Sequence, residues 1–159
     1  MLTLRLIVAA VILISGGNQL KADDSFTCPV TEASEQTFVP PAPWELNGPW
    51  FGNGKLWTRV QMWEHWRKDE LGYYVPKLAW FSSTFDWTQE HWPKEPSLLT
   101  ITGRRLDSPS KPLIFERAND AYAQGPFITA SVHLPTAGCW EITGHYKGEN
   151  LTFVVKIGP

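Results

Sequence analysis

Sulfur chemistry is scarce in this chain of 159 residues, which holds two cysteines and two methionines. No Cys-x-x-Cys pair occurs, so neither a zinc knuckle nor a thioredoxin-type redox centre is written here. A Gly-x-Ser-x-Gly nucleophile elbow is missing, and the stretch FGNGK lacks the spacing and the following hydroxyl of a phosphate-cradling loop. Histidine occurs four times, as His65, His91, His133 and His145. No apolar run beyond residue 14 approaches the roughly 20 residues that a helix needs to cross a bilayer. Basic excess is also lacking, with 14 basic residues against 16 acidic ones. A chain of that balance has no electrostatic reason to hold nucleic acid or an anionic membrane surface.

The N-terminus supplies what the rest withholds. Arg5 precedes the apolar run Leu6 to Ile14, and a polar, glycine-containing stretch follows to Ala22, the layout of a secretory signal peptide over residues 1–22. Cleavage after Ala22 removes Arg5 and Lys21, leaving 12 basic residues against 16 acidic ones and a formal charge of −4. No transmembrane segment is then expected, and the location is secreted or cell envelope. Export gives the cysteines a meaning, because thiols pair outside the cytoplasm. Cys28 with Cys139 is the one intramolecular possibility and is the expected disulfide. The competing role for Cys28, lipid attachment, is disfavoured by Phe26 and Thr27 and by an apolar run that ends well upstream.

Thirteen prolines and twelve glycines leave little room for long helices. Residues 23–49 contain Pro29, Pro40, Pro41, Pro43 and Pro49 and read as an extended arm held by Cys28. Residues 50–159 read as one β domain. Strands are expected at Lys55 to Met62, Tyr73 to Phe81, Leu98 to Arg104 and Leu113 to Arg117, with Ile128, Ala130, Val132 and Leu134 marking one face of another. A closing hairpin follows. Trp140, Ile142, Gly144 and Tyr146 share one face of its first strand, with Cys139, Glu141, Thr143 and His145 on the other. Leu151, Phe153, Val155 and Ile157 share a face of the second, after a turn at Lys147 to Asn150. One buried and one wet face per strand, in about seven short strands, predicts an all-β fold, an immunoglobulin-like β-sandwich. Trp140 is expected to be a core anchor.

FGNGKLW (Phe51 to Trp57), LTITGRRLD (Leu99 to Asp107), LPTAGCWEITG (Leu134 to Gly144) and LTFVVKI (Leu151 to Ile157) together resemble a family of secreted bacterial proteins with a GCWE(V/I)TG hairpin near the C-terminus. The resemblance covers most of the chain after Ala22, and its most specific element is Gly138-Cys139-Trp140-Glu141. It implies an exported, β-rich domain and brings no activity with it. The chain departs from that pattern at Lys77 to Ser82, where a richer proline and tryptophan motif is common.

Nine tryptophans are the strongest compositional anomaly. Trp63, Trp66, Trp87 and Trp92 are candidate ligand-binding rings, since an exposed indole stacks on the apolar face of a sugar, with Tyr73, Tyr74 or a nearby Glu orienting it. The bland alternative makes them core packing under long loops. The tripeptide Glu-His-Trp occurs at Glu64-His65-Trp66 and again at Glu90-His91-Trp92. Converging loops would let His65 and His91 share a divalent metal, yet the spacing matches no metal motif, and neither metal nor cofactor is expected. Glu64, Asp86, Glu90 and Glu95 include no distinguishable glycosidase pair, and no catalytic residue is assigned. The expectation is a non-catalytic, exported β-sandwich that serves as an interaction or ligand-binding module, with carbohydrate, cell-envelope material or a cell-envelope protein as candidate partners. The alternative is a small extracytoplasmic hydrolase or metal-dependent enzyme using the two Glu-His-Trp segments. Arg104 and Arg105, beside Asp107, read as a strand end with local ion pairs.

Overall fold

Every second side chain from Trp140 to Tyr146 and from Leu151 to Ile157 is buried, and this alternation turns the C-terminal segment into a strand pair with one dry face. The computed structural model describes residues 26–32, 50–59, 68–86, 97–118 and 127–158. The signal-peptide reading of residues 1–22 and most of the expected arm lie outside the described residues. Eight strands are present among those described: β1 (Trp50–Gly52), β2 (Leu56–Arg59), β3 (Lys77–Ser82), β4 (Thr100–Arg105), β5 (Ile114–Ala118), β6 (Phe127–His133), β7 (Gly138–Tyr146) and β8 (Glu149–Ile157). They form two antiparallel sheets, ordered β1-β2-β3-β6-β5 and β4-β7-β8. The fold is all-β, with no helix among the described residues.

The sheets share one core. Leu78 and Trp80 of β3 and Ile128, Ala130 and Val132 of β6 meet Trp140 and Ile142 of β7 and Phe153 and Val155 of β8 in a single buried cluster. Trp140 and Trp80 are both completely buried. Trp140 Nε1 donates to the Thr136 carbonyl oxygen at 3.0 Å, which satisfies its one polar atom. A second apolar cluster, Trp50, Trp57, Phe81 and Phe127, covers the opposite face of the larger sheet. There the Trp57 indole lies directly over Gly52, its partner across the β1–β2 pair, in space that any β-carbon at Gly52 would take.

The disulfide joins Cys28 to Cys139, with Cα atoms 5.6 Å apart. It holds residues 26–32 against β8, whose backbone needs a partner on its outer side. Thr31 supplies it: its N–H donates to Val154 O at 2.9 Å, and its Oγ1 accepts from Val154 N at 2.8 Å.

Three expectations change. The closing turn is two residues, not four, since Tyr146 pairs with Glu149 and only Lys147 and Gly148 lie between. Both have positive φ, 46° and 83°, the signature of a type I′ turn that follows the right-handed strand twist. Lys147 tolerates it while its Nζ donates to Thr84 O and lies 5.1 Å above the Tyr146 ring. The strand expected from Tyr73 starts instead at Lys77, because Pro76 has no N–H to contribute to a ladder. Its upstream residue Tyr74 makes only isolated bridges, to Lys68 and Leu134. A further strand, β1, forms where only the start of the domain was expected.

Candidate functional site

The described concave surface with the most varied chemistry lies where three connections meet: residues 68–74, 106–113 and 134–136. Asp69 shapes the first. Its N–H donates to Tyr73 O, and its Oδ1 accepts from the N–H groups of Leu71 and Tyr73, all at 2.9 Å. Gly72, at φ 83°, closes the turn by donating to Asp69 O. Leu71 is left at the tip, 82% exposed, and Tyr73 is turned back towards β6. Two backbone hydrogen bonds between Tyr74 and Leu134, 3.0 and 2.9 Å, clamp this hairpin to the end of that strand.

The other Asp69 oxygen, Oδ2, accepts from His133 Nδ1 at 3.3 Å. The Tyr73 ring stands edge-on to that imidazole, with centroids 6.1 Å apart. Partial desolvation works to raise the Asp69 pKa, but hydrogen bonds from the Tyr73 backbone, the His133 side chain and the Leu71 backbone outweigh it and hold the carboxyl below its ordinary value. No serine, threonine or cysteine among the described residues is hydrogen-bonded to His133, and the Asp69–His133 pair braces one wall of the surface.

The second connection leaves β4 through Arg105. Its Nε donates to Asp107 Oδ1 at 2.6 Å, and its second terminal nitrogen lies 3.4 Å from Asp107 Oδ2. The remaining nitrogen donates to Thr136 Oγ1 at 3.2 Å, and that oxygen is 3.3 Å from Ser110 Oγ. The Arg105 hydrogen bond holds the Asp107 carboxyl below its ordinary value, against the opposing effect of desolvation. The guanidinium lies against Gly138, where φ is 141° and a side chain would collide with it.

Between these walls run two adjoining hollows of about 400 and 220 Å³ that share Tyr73, Lys111 and Pro135 and so form one groove. Leu71 stands at one end and Ile114, 47% exposed and paired across the sheet with His133, at the other. Ser110 and Thr136 contribute hydroxyls to its floor.

The outer face of the smaller sheet is polar and self-contained. Arg104 pairs with Glu141 at 2.7 Å, Thr143 with Thr152 at 2.8 Å, and His145 bridges Thr102 and Asn150 at 3.1 and 2.7 Å. No group of three or more metal-ligating side chains occurs among the described residues.

Trp63, Trp66, Trp87 and Trp92, with His65 and His91, lie outside the described residues. The described residues that flank them in the chain are Arg59 and Lys68 for the first set and Asp86 and Ser97 for the second. The four described tryptophans, Trp50, Trp57, Trp80 and Trp140, are all buried. Tyr73 was singled out from sequence as an orienting group, whereas Lys111, Ser110, Pro135 and Thr136 were not. The stretches Asp-Glu-Leu-Gly-Tyr and Asp-Ser-Pro-Ser-Lys-Pro do signal turns, but only the sheet order brings them together. No protein-family model, curated protein or solved structure matches the chain.

Proposed function

We propose that this protein is an exported, non-catalytic module that binds carbohydrate of the cell envelope or its surroundings, and that the Tyr73–Lys111–Pro135 groove is the contact surface. The observation that carries the reading is the composition of the groove. One aromatic ring, proline walls, two hydroxyls and a lysine lie together on an open surface. A sugar ring asks for the same set, an apolar plate for its C–H face and donors for its hydroxyls.

The architecture we assign is an immunoglobulin-like sandwich. Support comes from strand order: β2-β3-β6-β5 opposite β4-β7-β8 matches the four-plus-three arrangement of that class, with β1 added at one edge. Such a fold hosts binding of many kinds and by itself selects none. The Cys28–Cys139 disulfide is compatible with an extracytoplasmic location, and the leader-like residues 1–22 agree with it. The alternative, a hydrolase or metal enzyme built on the two Glu-His-Trp segments, gains nothing from the described residues.

The test is depletion of the purified, oxidised protein on insoluble peptidoglycan and a panel of polysaccharides. Two variants are run beside it, Tyr73→Ala and Trp66/Trp87/Trp92→Ala, each checked for folding by thermal melting. Depletion that is lost in folded Tyr73→Ala is the expected result. Depletion that survives Tyr73→Ala but not the triple tryptophan variant moves the site away from the groove. Absence of depletion on every polymer refutes the carbohydrate reading.

A further inference from the structure

We infer that the ligand of the groove carries a carboxylate, that is, an acidic polysaccharide of the uronate class, and that Lys111 and Ser110 recognise it. This rests on the groove being the glycan site. The first observation is the state of the charges around it. Lys111 lines both hollows and is exposed, and among the described residues it makes no hydrogen bond or ion pair. Two carboxylates of the loops that wall the groove, Asp69 and Asp107, are already committed, while Glu70, exposed beside Leu71, is a third acid on the 68–74 hairpin. Asp69 accepts from two backbone N–H groups and from His133, and Asp107 is held by Arg105. The chain as a whole has a formal charge of −2, so an exposed lysine that lines both hollows is a local feature set against the overall balance.

The second observation is independent of Lys111 and concerns the hydroxyls beside it. Arg105 has donors only, so its bond makes Thr136 Oγ1 an acceptor, and that oxygen lies 3.3 Å from Ser110 Oγ, with either hydroxyl able to donate to the other. Arg105, Thr136 and Ser110 thus form one chain of polar groups whose last hydroxyl lines the groove. A lysine ammonium and a neighbouring hydroxyl on one loop suit an acceptor with two oxygens. Tyr73, across the groove, supplies the plate for the ring that bears the carboxylate.

The test uses polygalacturonate, its methyl ester and polyglycerol phosphate as probes, titrated against the oxidised protein and its Lys111→Gln and Lys55→Gln variants. Lys55 pairs with Glu149 beside the β7–β8 turn and takes no part in the groove. Polygalacturonate is expected to bind, and either esterification or Lys111→Gln is expected to weaken it about tenfold, the value of one partly screened charge-assisted hydrogen bond. The two changes together should do little more than one alone, and Lys55→Gln should match the parent protein. Equal affinity for the methyl ester, an unaffected Lys111→Gln variant, or tighter binding of polyglycerol phosphate overturns the carboxylate inference. If a neutral polymer is still depleted in a Tyr73-dependent way, the groove reading survives that result. Failure to bind any glycan removes both.

Discussion

Gly144 and Trp80 offer a direct test of how the two sheets meet. Gly144 lies on the inner face of β7, and a methyl group built there would fall on the six-membered ring of the Trp80 indole. Trp80 is completely buried and tilted against Phe153, with ring centroids 5.9 Å apart, so it has no exposed side to retreat to. Gly144→Ala should therefore cost about 1 to 3 kcal/mol by overpacking. Alanine recovers about 0.5 to 1 kcal/mol of backbone entropy lost by glycine in a strand. The net expectation is a loss of about 1 to 2 kcal/mol.

Trp80→Phe removes the atoms that the new methyl would strike. Its indole Nε1 has no hydrogen-bond partner, so phenylalanine gives up packing alone. That should cost about 2 kcal/mol, below the 3 to 5 typical of truncating tryptophan to alanine. In the double variant the methyl occupies space the shorter ring has vacated. It should be no less stable than Trp80→Phe alone, where simple addition predicts a total loss of about 3 to 4 kcal/mol, and the coupling is then about 1 to 2 kcal/mol. Urea unfolding of the four proteins at 25 °C measures it. Additivity within about 0.5 kcal/mol would mean that Trp80 does not rest on Gly144, and the packing of β3 against β7 would have to be redrawn.

Two further outcomes follow from the strap and the turn. The disulfide spans a sequence separation of 111 residues, and Cys28→Ser/Cys139→Ser should lower stability by up to about 4 to 5 kcal/mol in the chain-entropy model. The same variant should speed amide exchange at Val154, whose N–H donates to Thr31 Oγ1; an unchanged rate would mean that the strap holds without its cross-link. In acid, Asp69 and Asp107 have folded pKa values below their ordinary ones. Each thus contributes stability that is present above its unfolded value of about 3.9 and is lost as pH falls through the folded one. Melting temperature should be flat from pH 7 to about 5 and fall below about 4, less steeply in Asp69→Asn/Asp107→Asn. An identical acid limb in that variant would refute the assignment.

Strand faces were legible where burial alternates with period two. Leu99 and Ile101 are buried while Thr100 and Thr102 face water, and both strands of the closing hairpin sort as the sequence predicts. Legibility fails where geometry outranks pattern. β1 spans three residues, too few for a period, and exists because Gly52 receives the Trp57 ring. The Lys147–Gly148 turn was hidden because lysine is a poor marker of positive φ, and a contact to Thr84, distant in sequence, holds it there. The pairing of Cys28 with Cys139 needed only elimination and an oxidising compartment. The groove needed the topology: Tyr73, Lys111 and Pro135 adjoin because β6 ends beside the 68–74 hairpin and β5 begins beside His133.

That same topology leaves the groove better prepared for a ligand than the described sheet edges are for a strand. The outer backbone of β8 is occupied at Val154 by Thr31 and at Asn150 by the Asn53 amide, which donates to the Asn150 carbonyl at 2.9 Å. On the far side of the same sheet, Leu113 N–H donates to Gly103 O at 3.4 Å. Strand addition there would have to displace bonds already made. The groove walls, by contrast, are fixed by bonds that a ligand need not break: the Tyr74–Leu134 pair, the Asp69 turn, and the Thr136 backbone, whose carbonyl accepts from the buried Trp140 indole. Ordering of loops is a large part of what binding costs, and here the fold has met that cost in advance. The buried Trp140 is in this way coupled to the surface: Trp140→Phe, which removes the donor to the Thr136 carbonyl, should loosen the Arg105–Thr136–Ser110 chain and weaken the groove before it unfolds the domain.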